Sequence, residues 1–186
     1  MNDLRPIPLN SQRLVLRPSV DGDADYLFAS YFGSLSASRF LSRAPHSSVG
    51  QTNDFLDKWT LLAWQEAGKP FAWVIAKRET NEPVGIFLVF QKENIAEIHY
   101  GVSEQHSGQG MASEACETAA NWLLEQDYIQ KVWTAVDTDH AATQRVLEKA
   151  GFVKEGLLKN WAVLPAFGEE ARDAVAYSKI KRSPIT

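Results

Sequence analysis

The pattern of apolar and polar residues changes character near the middle of the chain. In the first half, Arg13–Arg17 places apolar residues between arginines and predicts a short strand. Asp21 then offers an N-cap, and Ala24, Leu27, Phe28 and Tyr31 recur at helical spacing, which predicts an amphipathic helix buried on that face. Residues 34–50 follow neither period and are predicted to be irregular. Phe55, Leu56, Trp59, Leu62 and Ala63 mark a second helix, stopped by Gly68 and Pro70. Extended segments follow at Phe71–Lys77 and Val84–Phe90, joined by a turn through Thr80–Pro83. The unbroken apolar run of the second predicts a strand buried on both faces. Another strand is predicted from Ile95 to Val102.

Beyond Val102 the hairpins give way to alternating helix and strand. Met111–Glu125 carries Ala112, Ala115, Cys116, Ala119, Trp122 and Leu123 on one helical face. Lys131–Val136 reads as a strand, and Ala141–Ala150 as a helix ended by Gly151 at the C′ position. Two more extended segments, about Phe152–Leu164 and Arg172–Ile180, close the chain. Hairpins followed by a strand–helix–strand unit predict an α/β protein with a mixed sheet and helices on both faces. No repeat, low-complexity tract or linker interrupts the sequence, so residues 1–186 are expected to form one domain.

Composition narrows the chemistry. At 45% hydrophobic and 23% charged residues, the chain has the makeup of a globular protein, which excludes disordered and fibrous classes. A net charge of −4 argues against nucleic acid or an anionic membrane surface as partner, since both need a basic face. The single cysteine, Cys116, cannot form an internal disulfide and excludes a thiolate-based zinc site; no metal is expected. Neither a signal-peptide core nor an apolar run near the roughly 20 residues of a membrane span is present, so the cytoplasm is the expected compartment.

The most informative stretch runs from the strand Ile95–Val102 through Ser107, Gly108, Gln109 and Gly110 to Met111 and Ala112. A strand enters a glycine-rich turn that opens a helix. Small residues at 108, 110 and 112 let backbone N–H groups converge at the positive end of the helix, which suits a phosphate or pyrophosphate. Such turns also occur for purely conformational reasons. The dinucleotide fingerprint fails at Ser113, and the triphosphate loop fails because no Gly-Lys-Ser/Thr follows.

A second block, Asp139 to Phe152, adds His140, Thr143, Arg145, Val146, Leu147, Glu148, Lys149 and Gly151 in fixed order. Together the two blocks resemble the GNAT superfamily of N-acetyltransferases, in particular its RimJ/RimL branch. Ser107 to Ala112 is similar to the family's Gln/Arg-x-x-Gly-x-Gly/Ala turn. His140 to Phe152 is similar to its Asn-x-x-Ser-x-Arg-Val-Leu-Glu-Lys-x-Gly-Phe segment. Arg13–Arg17 resembles the branch's opening strand, and Glu155–Lys159 and Asp173–Ser178 its closing ones. The resemblance spans about Leu9 to Lys181.

This resemblance implies a GNAT-like fold: a central, mostly antiparallel sheet in which one parallel strand pair splays apart. It implies acetyl-CoA as cosubstrate, with its pyrophosphate on the amides of Gly108 to Ala112. The pantetheine arm would lie along the backbone of Tyr100, Gly101 and Val102, where an amide near Val102 could polarise the thioester carbonyl. His140 stands where the family has an asparagine against that arm. Thr143 stands where the branch has a serine whose hydroxyl meets the departing sulfur.

Attack by an amine requires loss of a proton. Glu97 occupies the position of the base in histone-acetylating relatives and is the first candidate; it is equally a solvent-side carboxylate of a strand. His99 shares its strand face by the period of two and is either a proton relay or a hydrogen-bonded structural histidine. Thr143 is either the leaving-group acid or a hydroxyl bonded back along its helix. Trp59, Trp64 and Trp161 belong either to the core or to the acceptor wall. Cys116 shares its helical face with Ala112, Ala119 and Leu123 and is assigned to packing rather than to a covalent acetyl-enzyme.

The chain departs from the family at three places. Ser107 lacks the long polar side chain, His140 replaces the asparagine, and Ala162 stands where the RimL type has its carboxylate. The resemblance implies direct transfer to an N-terminal α-amine, such as that of a ribosomal protein. The alternatives are a small amine (polyamine, amino acid or antibiotic) or a CoA-binding module with little catalysis. An α-amine has a pKa of about 7.7–8.0 against about 10.4 for lysine, so more of it is neutral and nucleophilic near pH 7.

Overall fold

The computed structural model describes residues 3–181. Strands β1 (Leu9–Asn10) and β2 (Leu14–Arg17) precede helix α1 (Asp23–Leu27), which widens into a π-helical turn over Phe28–Phe32. Helix α2 (Val49–Leu56) passes through a second π-helical stretch, Asp57–Leu62, into α3 (Ala63–Gln65). There follow β3 (Phe71–Lys77), β4 (Pro83–Lys92), β5 (Ile95–Val102), α4 (Met111–Glu125), β6 (Lys131–Asp137), α5 (Ala141–Lys149), β7 (Val153–Val163) and β8 (Ala171–Ile180).

The strands form one sheet in the order β1-β2-β3-β4-β5-β6-β8-β7, with every pair antiparallel except β5 and β6. Alternation along each central strand feeds two cores. Phe71, Trp73 and Ile75 of β3, with Phe87 and Val89 of β4, pack against Ala115, Cys116, Ala119 and Leu123 of α4 and Leu147 of α5. Ala72 and Val74, with Ile86 of β4, face Ala24, Leu27, Tyr31, Phe32 and Leu56 on the other side. Helices therefore cover both faces of the sheet, and β3 and the first part of β4 are apolar almost throughout because neither face meets water there. Cys116 is fully buried in the first core, and burial pushes its thiol pKa well up, so it has no thiolate character.

Three sequence expectations need correction. Asp21 is exposed and does not cap α1; Gly22 precedes the helix with no side-chain cap. The neighbouring Asp23 is the buried acidic residue instead, and it bonds to groups outside the helix. Its carboxylate accepts from Val20 N–H (2.9 Å) and forms a buried two-bond pair with the Arg17 guanidinium (2.6 and 3.1 Å). The π turns are the second surprise. Strict 3.6-residue spacing put Phe28 and Leu62 on buried faces, but across the wider turns Phe28 is only half-buried and Leu62 is 61% exposed, while Phe32 enters the core. Helix α2 also starts earlier than expected, capped by Ser48, whose oxygen accepts from Gln51 N–H at 3.2 Å.

Candidate active site

The parallel pair β5–β6 is joined only at its beginning, through Ile95–Lys131, Ala96–Val132 and Glu97–Trp133. Beyond these rungs the strands separate. The N–H of Ser103 donates to Val84 O at 2.8 Å, so alternation turns the backbone groups of Gly101 and His99 toward β4. Those of Tyr100 and Val102 point into the opening. Unpaired strand groups of this kind suit an extended ligand bearing amides.

The turn after β5 leads to α4 with Gly108 and Gly110 both at positive φ, +76° and +78°. A Cβ at residue 108 would meet open space, so this glycine serves conformation and leaves the amides bare. Arg13 braces the turn. Its Nε donates to Glu114 (2.7 Å) and its Nη1 to Gln109 O (2.9 Å), tying β2 to the first turn of α4.

A groove of about 480 Å³ runs from this turn to the splayed strands. Its wall includes Tyr100, Gly101 and Val102 at one end and Ser107, Gly108, Gly110, Met111 and Ala112 at the other. His140 and Thr143 of the α5 entrance also line it. Gln109 does not; its side chain turns away to donate to Gln105 O (2.9 Å). Arg145 and Lys149 on α5, present in the second motif block but given no role there, add cations to the groove. The Tyr100 hydroxyl is buried and has no hydrogen-bond partner among the described residues. Bare amides, cations and the free strand groups together fit a phosphorylated, amide-bearing thioester such as acetyl-CoA.

At the mouth of α5, Thr143 Oγ1 lies 2.8 Å from His140 Nε2. The imidazole stacks on Phe40 with ring centres 4.2 Å apart. Burial lowers the His140 pKa, against a smaller raising effect of Asp137, so the ring is neutral near pH 7. Phe40 belongs to the irregular segment before α2, which therefore folds over the groove.

A second cavity, about 330 Å³, opens on the other side of β5. Tyr31, Phe40, Leu41 and Tyr100 line both spaces, so the two meet there. The wall is aromatic, built from Phe32, Phe55 and Phe90 with Trp161 of β7. His99 lines this cavity, half-exposed, and its Nε2 sits 2.8 Å from Glu97 Oε1. Glu97 is not part of the wall and stands behind the histidine. Ala162 does line it, leaving no carboxylate at that position. Trp59 touches Phe90 from outside the wall (5.6 Å), and Trp64 donates to Ala72 O (2.9 Å) beside the first core. Of the three tryptophans, only Trp161 faces the cavity.

Charged groups frame the cavity floor. Asp137 at the end of β6 binds Arg172 through two hydrogen bonds, 2.6 and 3.1 Å, and Arg172 also reaches Asp139 at 2.7 Å. Asp173 pairs with Lys159 (2.7 Å) and accepts from Asn160 N–H (3.0 Å). Sequence reading missed Tyr31, Arg43, Asp137 and Arg172 as site residues. Each comes from a different element and follows no spacing rule.

The acetyltransferase (GNAT) domain family matches this chain over residues 13–153, which covers the glycine turn, both splayed strands and α5. The chain belongs to the GNAT family. It is an acetyl-CoA-dependent N-acetyltransferase. An uncharacterized N-acetyltransferase of Bacillus subtilis, YoaA, is 30% identical over 156 residues, covering 82% of this chain and 86% of that protein. Among solved structures, a GNAT-family acetyltransferase from Bacillus anthracis superposes with a TM-score of 0.82 at 17% identity, covering 95% of this chain and all of that one (100%). RimL, a ribosomal L7/L12 α-N-protein acetyltransferase solved with coenzyme A, superposes at 0.79 with 20% identity, covering 94% and 98% of the two chains. These likenesses confirm the mixed, mostly antiparallel sheet expected from the sequence. Among the described residues no helix is long and apolar enough to cross a membrane.

Proposed function

We propose that this acetyltransferase modifies an α-amine, that of a peptide or protein N-terminus, by direct transfer within a ternary complex. The observation that carries this reading is the junction of the two cavities at Tyr31 and Tyr100, with His99 on the acceptor side and Thr143 on the donor side. A donor arm in one space and an amine in the other meet there without a covalent enzyme intermediate. Bound acetyl-CoA supplies an activated acetyl group as a thioester. Val102, whose N–H points into the opening, donates to the carbonyl oxygen as negative charge grows on it. His99 accepts the proton from the attacking amine. Its Nε2–H donates to Glu97, which leaves Nδ1 with the lone pair that takes the proton. Glu97 is thus the group that orients the base rather than the base itself. On the other side, His140 Nε2–H donates to Thr143 Oγ1, freeing the threonine's own proton for the departing sulfur.

An α-amine suits a site whose free base is a histidine, Asp137 and Asp173 being held by Arg172 and Lys159, because more of it is already neutral near pH 7. The likeness to RimL supports a protein N-terminus as the first acceptor to test, and a ribosomal substrate would place the enzyme in the cytoplasm. The test compares His99→Gln and Glu97→Gln with wild type on a free-N-terminus peptide and on its N-blocked, lysine-containing twin. His99→Gln is expected to lower kcat by about 10²–10⁴ with acetyl-CoA affinity unchanged, and Glu97→Gln by less. A His99→Gln rate within about threefold of wild type rejects the base assignment, and a larger kcat/KM for the blocked peptide rejects the α-amine.

A further inference from the structure

The acceptor cavity is lined by two arginines in opposite states. Arg172 has its donors on Asp137 and Asp139, and its guanidinium lies 4.2 Å over the Phe167 ring. Two carboxylates hold its pKa above the ordinary arginine value. Arg43 has neither partner. Its Nη1 donates to the adjacent Ala44 O at 3.1 Å, and its guanidinium lies over the rings of Phe32 (5.0 Å) and Tyr31 (6.0 Å). Among the described residues no carboxylate stands within ion-pair distance of it. The two aspartates of the cavity wall are already occupied, Asp137 by Arg172 and Asp173 by Lys159. Burial lowers the Arg43 pKa, opposed only in part by Tyr31, yet a guanidinium stays charged at any pH the fold survives. The cavity therefore contains a positive charge with donors to spare and no counterion of its own.

Its position shows whose counterion is missing. The Tyr31 ring under Arg43 carries the hydroxyl that packs on Gly101, where a Cβ would collide with it. Arg43 is thus one side chain away from the stretch of β5 where the two cavities meet. An anion bound there belongs to the molecule whose amine is reacting.

We propose that Arg43 binds a carboxylate that the acceptor carries close to its α-amine, so the enzyme selects amines that are also acids. This rests on the α-amine reading and narrows it. The planar fork matches a carboxylate through two parallel hydrogen bonds, and stacking on two rings fixes its plane. The same charge repels polyamines, which bring a second cation into the cavity. The carboxylate has two possible sources: the α-carboxylate of a free amino acid, or an acidic side chain in the first residues of a peptide.

Two matched pairs separate these sources. Phenylalanine against phenylalaninamide tests the α-carboxylate, and a phenylalanyl-glutamyl amide against its glutaminyl twin tests the side chain. Spermidine serves as the polycation. In wild type, the acidic member of at least one pair should have the larger kcat/KM, by about tenfold or more, as expected for a charge-assisted bond. Spermidine should be the poorest acceptor. Arg43→Gln should bring the preferred pair within about twofold of each other, and Arg43→Lys should keep part of the preference. Circular dichroism and coenzyme A affinity control for folding. Calorimetric binding of each pair to the coenzyme A complex gives the same comparison without turnover, so lost catalysis and lost selectivity remain distinguishable. No preference in either wild-type pair, or a preference that survives Arg43→Gln, overturns the proposal.

Discussion

The proposed donor groove and the proposed acceptor cavity share β5 and are built by opposite means. The groove is made of backbone: bare amides at Gly108–Ala112 and the free N–H and C=O groups of Tyr100 and Val102. The cavity is made of side chains gathered from five places in the chain: Arg43 and Phe40 before α2, Phe55 on α2, Phe90 on β4, His99 on β5, and Trp161 and Arg172 on the closing hairpin. A ligand held by backbone constrains which residues can be small and where, so its site is written locally. A ligand held by side chains can be met by many combinations and leaves no spacing to read. The shared cosubstrate of a broad family fits the first kind of site, and a variable acceptor fits the second.

The largest expected effect tests the backbone side. Gly110→Asp should weaken acetyl-CoA binding by at least about 100-fold in a protein that still folds. Residue 110 sits at φ +78°, a conformation aspartate tolerates better than most side chains, so the fold survives. The carboxylate, however, adds a negative charge at the helix end expected to receive the pyrophosphate. Calorimetry with acetyl-CoA, beside a thermal melt, provides the check. Wild-type affinity in the folded variant would move the phosphate site elsewhere and remove one half of the comparison.

The same contrast explains what the sequence could and could not reveal. The bounds of β3, β5 and α4 follow from apolar runs, the glycine turn and helical spacing, and the structure has them at Phe71–Lys77, Ile95–Val102 and Met111–Glu125. These elements carry the core, where burial dictates residue type. Residues 34–46 followed no period because their side chains serve the cavity and the groove: Phe40 stacks on His140, and Arg43 covers Tyr31 and Phe32. The π turns were invisible because a period of 3.6 was assumed throughout. Arg172 and Asp137 lie 35 residues apart and meet only because β6 and β8 are neighbours. Asp21 looked like a cap in isolation, but it stays exposed while the neighbouring Asp23 pairs with the buried Arg17.

A second, smaller effect probes the seam between the two sides. Thr143→Ala should slow the chemical step by about 10–100-fold, whereas Thr143→Ser should keep or raise the rate, because only the hydroxyl is needed at the sulfur. The His140–Thr143 contact at 2.8 Å gives the alternative a definite form. If the hydroxyl only caps His140, both variants change stability slightly and leave single-turnover rates equal to wild type. Stopped-flow turnover with saturating donor separates the two cases, and equal rates in all three proteins would remove Thr143 from the chemistry.

The smallest expected effect is the dependence of stability on pH, and it divides between the two sides. His106 and His140 border the donor groove; His46 lies behind the acceptor wall, stacked on Phe32 at 4.6 Å. All three pKa values lie below the ordinary one, in each case chiefly through burial, and for His46 the charge of Arg43 adds to it. The unfolded chain takes up protons near pH 6.5, where the folded chain still refuses them. Unfolding is then coupled to proton uptake, so stability is full above about pH 6.5 and declines as the pH falls toward the depressed values. The lowered carboxylates, among them Glu82, Glu114 and Asp137, begin to add their own loss only below about pH 4.5. The melting temperature should drop by a few degrees between about pH 7.5 and 5.5, since roughly 1 kcal/mol shifts a chain of this size by about 2–4 °C. His46→Gln should flatten part of that slope, and Arg43→Gln a smaller part, by withdrawing the charge that helps keep His46 neutral. The His106→Gln and His140→Gln variants should account for the remainder. A wild-type melting temperature constant over this range would mean that none of these histidines is held neutral by burial. A slope untouched by Arg43→Gln would mean that the arginine's field does not reach across Phe32, and that the acceptor wall is better screened than its aromatic lining suggests.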